Sequence, residues 1–143
     1  MLTPGKFAAE AMRAFGVKGA TDVTGFSLLG HAWEMACASK VTIEIDSASV
    51  PLIEGALELA KANLLTGADK TNREYVGSDV KIDDSVSADL VKLLFDPQTA
   101  GGMLIAFPEV NATGLLQDLQ KNYPSTKQIG RVRLRQSHSI VVS

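Results

Sequence analysis

Residues 96–102, Asp-Pro-Gln-Thr-Ala-Gly-Gly, can be neither helix nor strand, and this stretch limits the folds open to the chain more than any other. Pro97 removes a backbone donor, and the paired glycines carry no side chain to pack. Before it, Ser85 or Ser87 can cap an apolar helix that runs to about Phe95. After it, Met103, Leu104, Ile105, Ala106 and Phe107 form a continuous apolar run, the mark of a strand buried on both faces. Helix, loop and buried strand in immediate succession point to a chain that mixes both kinds of element around one core.

The rest of the chain supplies the other elements. Thr3 is placed to cap a helix with Pro4 at its first position, and Phe7, Met12 and Phe15 give that helix an apolar face as far as Gly16. A Gly- and Thr-rich stretch over residues 19–25 leads into a second apolar helix over about 26–38. Residues 41–46, VTIEID, alternate and are β-branched, which predicts a strand with one polar face. Pro51 opens a third helix that ends near Asn63, and residues 64–77 read as a loop. A fifth helix lies between Asn111 and Tyr123. Residues 129–134 and 139–142 read as strands joined in a hairpin across Arg135, Gln136 and Ser137. The expected fold is α/β (α+β), a mixed sheet of about four strands with helices packed on it, in a single domain over residues 1–143.

Charge and cysteine usage exclude several roles. The net charge of -2 gives no basic surface for nucleic acid or an anionic membrane. Cys37 is the only cysteine, so an internal disulfide and a cysteine metal cluster are both ruled out, in keeping with a reducing compartment. No apolar run approaches the roughly 18 residues that span a bilayer, and residues 1–6 have no apolar leader. The expectation is a soluble, cytoplasmic protein.

Two segments place polar groups and glycines at element ends. In the first, Asp22 and Thr24 stand just before a helix, where free amides and the positive dipole end favour anions. Gly25 would let a phosphate approach the backbone. Asp22 can hold Mg2+, which takes one or two carboxylates together with phosphate oxygens and water. Equally, Asp22 or Thr24 can be an ordinary helix cap. His31, inside the apolar helix, suits a hydrogen bond that fixes a neighbouring loop, with Glu34 as its partner one turn on. In the second segment, Gly101 and Gly102 bring backbone close either to a ligand or to another part of the fold. Cys37 sits on an apolar helix face and reads as a buried, inert thiol rather than a nucleophile.

These two segments carry a resemblance. Residues 20–31, ATDVTGFSLLGH, with Glu34 and Met35 after them, closely resemble a signature of the selenophosphate synthetases. Residues 94–106, LFDPQTAGGMLIA, resemble that family's second signature. Asn72 with Tyr75, Val76 and Gly77, and Ile129 to Val132 near the end, are similar to further family positions. The likeness runs in order along nearly the whole chain. Relatives in the wider superfamily, such as aminoimidazole ribonucleotide synthetase, have other residues at these places. Ser27 stands where the family usually has glycine, Ala100 where it has serine and Met103 where it has leucine. Ser27 falls at a helix start, where a small side chain should be tolerated. Ala100 takes away any phosphate contact by a hydroxyl there.

The resemblance implies a definite activity. Such enzymes make selenophosphate from selenide and ATP with Mg2+, releasing AMP and phosphate. They have two α/β domains and usually form a homodimer. It implies that this chain is the C-terminal domain, with the N-terminal catalytic domain outside it. The reactive cysteine or selenocysteine, a lysine and further metal-binding aspartates would lie in that other domain. Asp22 would be a Mg2+ ligand, Thr24, Gly25, Gly101 and Gly102 would line the nucleotide site, and the chain would hold no catalytic residue of its own. Its partners would be its own N-terminal domain, a second copy and the substrates, and the isolated chain would be inactive. The alternative is a stand-alone, non-catalytic module of the same superfamily that binds a nucleotide or a partner.

Overall fold

The computed structural model describes residues 5–143, so the expected cap at Thr3 and Pro4 lies outside the described residues. The fold is a mixed α/β domain with two sheets. The larger sheet contains β2 (Val41–Ile45), β3 (Val80–Ile82), β5 (Gly130–Leu134) and β6 (Ile140–Val142) in the spatial order β3-β6-β2-β5. β6 pairs in parallel with both β2 and β3, while β5 runs antiparallel along the outer side of β2. The smaller sheet is an antiparallel ribbon of β1 (Gly19–Asp22) and β4 (Met103–Ala106).

Helix α2 (Ser27–Ser39) packs on the larger sheet. Its Leu29, Ala32 and Ala36 are fully buried and meet Ile43, Ile45, Ile140 and Val142 in one core. Helices α4 (Asp69–Val76) and α5 (Ala88–Leu94) close that core through Val76, Val91 and Leu94. Helices α1 (Lys6–Phe15) and α6 (Glu109–Gln120) form a second, smaller core around Ala8, Ala11, Leu115 and Leu119, with Ile105 of the ribbon against it. The short α3 (Ala56–Lys61) lies against α5.

Several sequence expectations are corrected. Residues 19–22 form a strand, although GATD has no apolar alternation, because β4 supplies the complementary ladder. Residues 69–76 are helical and not loop: α4 buries only Asn72 and Val76 and is polar apart from Tyr75 and Val76, so it shows no stripe to the eye. Pro51 does not open a helix. Helix α3 begins only after Gly55, whose φ of 81° suits a residue without Cβ. Strand β4 is not buried on both faces: Met103 is exposed and Leu104, Ile105 and Ala106 are only partly buried. Strands β5 and β6 are not a hairpin: β6 inserts between β2 and β3, where Ile140 and Val142 are fully buried. The polar face of β2 is covered at Thr42, whose hydroxyl donates to His138 O at 2.7 Å and accepts from Gln136 N at 2.9 Å. Finally, Ser27 occupies a seat that favours glycine. It is fully buried with φ of 69°, and its Oγ accepts from Gly30 N at 3.4 Å.

Candidate functional site

The ribbon register brings the two unusual segments together. Asp22 lies opposite Met103, and the ladder continues past it, with Val23 N donating to Gly102 O at 2.8 Å. Gly101 N then donates to Val23 O at 3.0 Å, and Gln98 N donates to Thr24 O at 3.0 Å. Three backbone bonds therefore stitch residues 22–25 to residues 98–102. A Cβ on Gly101 would stand 2.6 Å from Val23 O, so this glycine is required by the stitch itself. Nothing lies within 4 Å of a Cβ built on Gly25 or Gly102, so both face open space.

A side chain completes the clamp. Asn72 of α4 is buried, and its Nδ2 donates to Gly25 O at 3.0 Å and to Phe95 O at 3.2 Å. One amide thus ties the end of the first segment to the residue just ahead of the second. No periodic signal reveals Asn72, because α4 has no apolar stripe; its only sequence mark is its place in the N-x-x-Y-V-G stretch.

Neither Asp22 nor Thr24 caps α2. The cap residue is Phe26, and no side chain bonds to the first-turn amides from that position. Asp22 is exposed at the end of β1, and among the described residues no hydrogen bond or ion pair engages its carboxylate. Val23 is buried in the core, while Asp22 before it is exposed and Thr24 after it is half-buried. The Thr24 hydroxyl lies 3.0 Å from His31 Nε2, and His31 Nδ1 lies 3.0 Å from Glu34 Oε2. His31 therefore holds the loop as its position suggests, with Glu34 as partner. Tyr75 Oη donates to Glu34 Oε1 at 3.0 Å, and this bond to a carboxylate is the main reason its pKa is raised. Phe26 stacks on Tyr75 at 4.8 Å and meets His31 edge-on at 5.7 Å.

A second polar network sits on the other side of Trp33. Asp79 accepts from Trp33 Nε1 at 2.9 Å, from Ser139 N at 2.9 Å and from Arg135 Nη2 at 3.1 Å, as well as from the Ser139 hydroxyl. Desolvation would raise the Asp79 pKa. The bonds from Ser139 and Trp33, with the Arg135 charge, more than offset it and lower the value to about 2. Cys37, expected to be buried, is exposed, because Ala36 takes the buried place in the last turn of α2. Its Sγ lies 3.4 Å from Ser139 Oγ.

Asp22, Thr24, Gly25, Gly101 and Gly102 thus share one end of the ribbon. The donor set is made of hard oxygens, and among the described residues no group of three or more His, Cys, Asp or Glu could hold a metal ion. One free carboxylate beside open glycines fits Mg2+ carried with phosphates, which takes few protein ligands, and does not fit a metal caged by this chain. No helix among the described residues is long and apolar enough to cross a membrane.

Comparisons with known proteins supply the family. The family model described as AIR synthase related protein, C-terminal domain, matches residues 3–143. The selenide, water dikinase of Caldanaerobacter subterraneus subsp. tengcongensis is 44% identical over 140 residues, covering 96% of this chain and 40% of that protein. The selenide, water dikinase of Clostridium botulinum is 39% identical over 142 residues, covering 99% of this chain and 41% of that protein. That of Clostridioides difficile is 43% identical over 122 residues, covering 85% and 35%. The chain spans about two fifths of the length of these curated relatives.

Proposed function

This chain belongs to the AIR synthase related protein family as a C-terminal domain, and from that premise we propose that it is the C-terminal part of a selenide, water dikinase, contributing one wall of an ATP- and Mg2+-dependent site that makes selenophosphate from selenide. The observation that carries this reading is the stitched wall itself. A free carboxylate, Asp22, and two open glycines, Gly25 and Gly102, stand together at one end of a ladder whose backbone bonds leave them little freedom. Phosphoryl transfer depends on placing and neutralising charged phosphates, and such a wall serves that need.

In this reading Asp22 is a ligand of the Mg2+ and Gly25 and Gly102 let phosphate oxygens approach the backbone. Gly101 acts on the nucleotide through the stitch to Val23 O, not by direct contact. Mg2+ supplies charge neutralisation of the phosphates when bound. The reacting groups come from an N-terminal domain continuous with this one. The relatives' greater length and the names they carry support this. The working enzyme is a cytoplasmic homodimer that releases AMP and phosphate.

The test is Asp22→Asn in the full-length protein. Mg2+-dependent formation of AMP should fall by roughly 100-fold or more while the domain stays folded, since a lost ligand to a transition-state charge typically costs several kcal/mol. Unchanged activity would remove Asp22 from the site. Robust selenide-dependent AMP formation by the 143-residue chain alone would overturn the division of labour.

A further inference from the structure

We propose that two copies of this chain associate through the outer edge of β1, in an antiparallel register that sets Lys18 of each copy opposite Asp22 of the other. This goes beyond the nucleotide-site reading and does not depend on it.

Strand β1 has β4 on one side and, among the described residues, no strand on the other. An antiparallel strand sends the backbone groups of alternate residues to its two sides. Val23 turns both of its groups toward the β4 side: its N–H donates to Gly102 O at 2.8 Å, and its carbonyl accepts from Gly101 N at 3.0 Å. Counting back from Val23, Thr21 and Gly19 also face β4, so Asp22 and Ala20 present their backbone groups to the open edge. Both residues are exposed, and beside Ala20 runs a groove lined by Ala9, Met12, Arg13 and Val17. An uncovered edge of this kind is a template for another strand.

The side chains decide which strand fits. Residues 17–22, VKGATD, alternate between partly buried and exposed, so Lys18, Ala20 and Asp22 share the exposed face. Among the described residues no hydrogen bond or ion pair engages the side chain of Lys18 or of Asp22. With a two-fold axis at Ala20, Ala20 exchanges both backbone bonds with its own copy. Lys18 and Asp22 then lie directly opposite one another, an ammonium beside a carboxylate, and the symmetry makes this contact twice. The small Ala20 side chain between them obstructs nothing. The product is a four-stranded sheet across two copies, in the order β4-β1-β1-β4.

The outer edge of β5 does not allow the same pairing. Ile129 O accepts from Asp46 N on the β2 side, so by alternation Val132 presents its backbone outward. A copy paired about Val132 would set Arg131 against Arg133 at both ends, and like charges directly opposite are destabilising. Charge guards the edge of β5 and matches itself at β1. Because the pairing engages the Asp22 carboxylate, it is a resting association and not the working homodimer.

Sedimentation of the 143-residue chain between about 10 µM and about 1 mM at low salt should show a monomer–dimer equilibrium, as expected of a contact smaller than an ordinary interface. Amide exchange at Ala20 and Asp22 should be slow only at the high concentration, and at Gly19 and Thr21 slow at both. Lys18→Glu and Asp22→Lys should each weaken association about tenfold or more, and the two together should restore it to within about threefold, because the charges match again. A chain that stays monomeric throughout overturns the inference. So does a dimer that Lys18→Glu leaves unchanged, since it forms through another surface, and so does a double variant no tighter than the single ones. Loss of Mg2+-dependent activity with Asp22→Asn reports on the nucleotide site alone, whereas rescue by charge exchange reports on the pairing alone.

Discussion

Glu34 and Asp79 hang on the two members of one aromatic pair. Trp33 and Tyr75 meet edge to face at 5.2 Å, Tyr75 donating to Glu34 and Trp33 to Asp79. The Asp79 network is closed. Its donors come from α2, from the start of β6 and from Arg135, and together they tie helix to sheet. The Glu34 network is open, running through His31 to Thr24 and ending at the free side of the stitched wall. A closed network spends its polarity on the fold, whereas an open one delivers it to a surface. Hydrogen-bonding partners alone do not distinguish these two carboxylates; where the chain of bonds stops does.

The contrast can be broken by mutation. The largest stability loss should come from Asn72→Ala, which strands the Gly25 and Phe95 carbonyls without their donor. A loss of about 3 kcal/mol in urea unfolding is expected, and a loss near zero would mean that Asn72 does not clamp the wall. Next comes Asp79→Asn, with about 2 kcal/mol lost. Because the Asp79 pKa is lowered from 3.8 to about 2, its contribution is fully present above the unfolded value and disappears as pH falls through the folded one. Wild-type stability should therefore drop between about pH 4 and pH 2 more steeply than that of Asp79→Asn. Parallel acid curves would detach Asp79 from the fold.

Ser27→Gly should raise stability by about 0.5–1 kcal/mol, by relieving a left-handed φ of 69° at a buried side chain. A loss instead would show that the Ser27 bond to Gly30 N outweighs the strain. The smallest effect on stability belongs to Glu34→Gln, within about 0.5 kcal/mol, because its side chain is 41% exposed. If Glu34→Gln destabilised the domain as much as Asp79→Asn, the distinction between open and closed networks would collapse.

Much of this was legible in the sequence, and the failures share a cause. Helix α2, strand β2 and helix α5 each carry their own pattern, and Ser87 caps α5 as expected, accepting from Leu90 N. Strand β1 carries none, because GATD becomes a strand only through β4, more than eighty residues later in the chain. Turn signals at residues 135–137 suggested that β5 and β6 pair locally. The burial of Ile140 and Val142 between two parallel neighbours overrode them. The candidate residues were legible as a set, since the stretches at 20–31 and 94–106 are unusual on their face. Their mutual geometry was not. The cap reading of Asp22 and Thr24 failed because Thr24 turns to His31, and Gly101 proved to be held against Val23 O. The clamping role of Asn72 was not legible, because a buried amide on a polar helix leaves no periodic trace.

The position of β6 also bears on how the domain is made. This last strand in sequence lies inside the larger sheet, flanked by β2 and β3, and Ser143 N bonds back to Ile45 O at 3.0 Å. During synthesis on a ribosome, β2 and β3 must wait, each missing a neighbour, until residues 140–143 have cleared the exit tunnel. The stitched wall can form earlier, since all its parts lie before residue 107. A nascent chain would then carry its stitched wall ahead of a finished core, and a ribosome stalled before residues 140–143 emerge would present an unzipped sheet to chaperones.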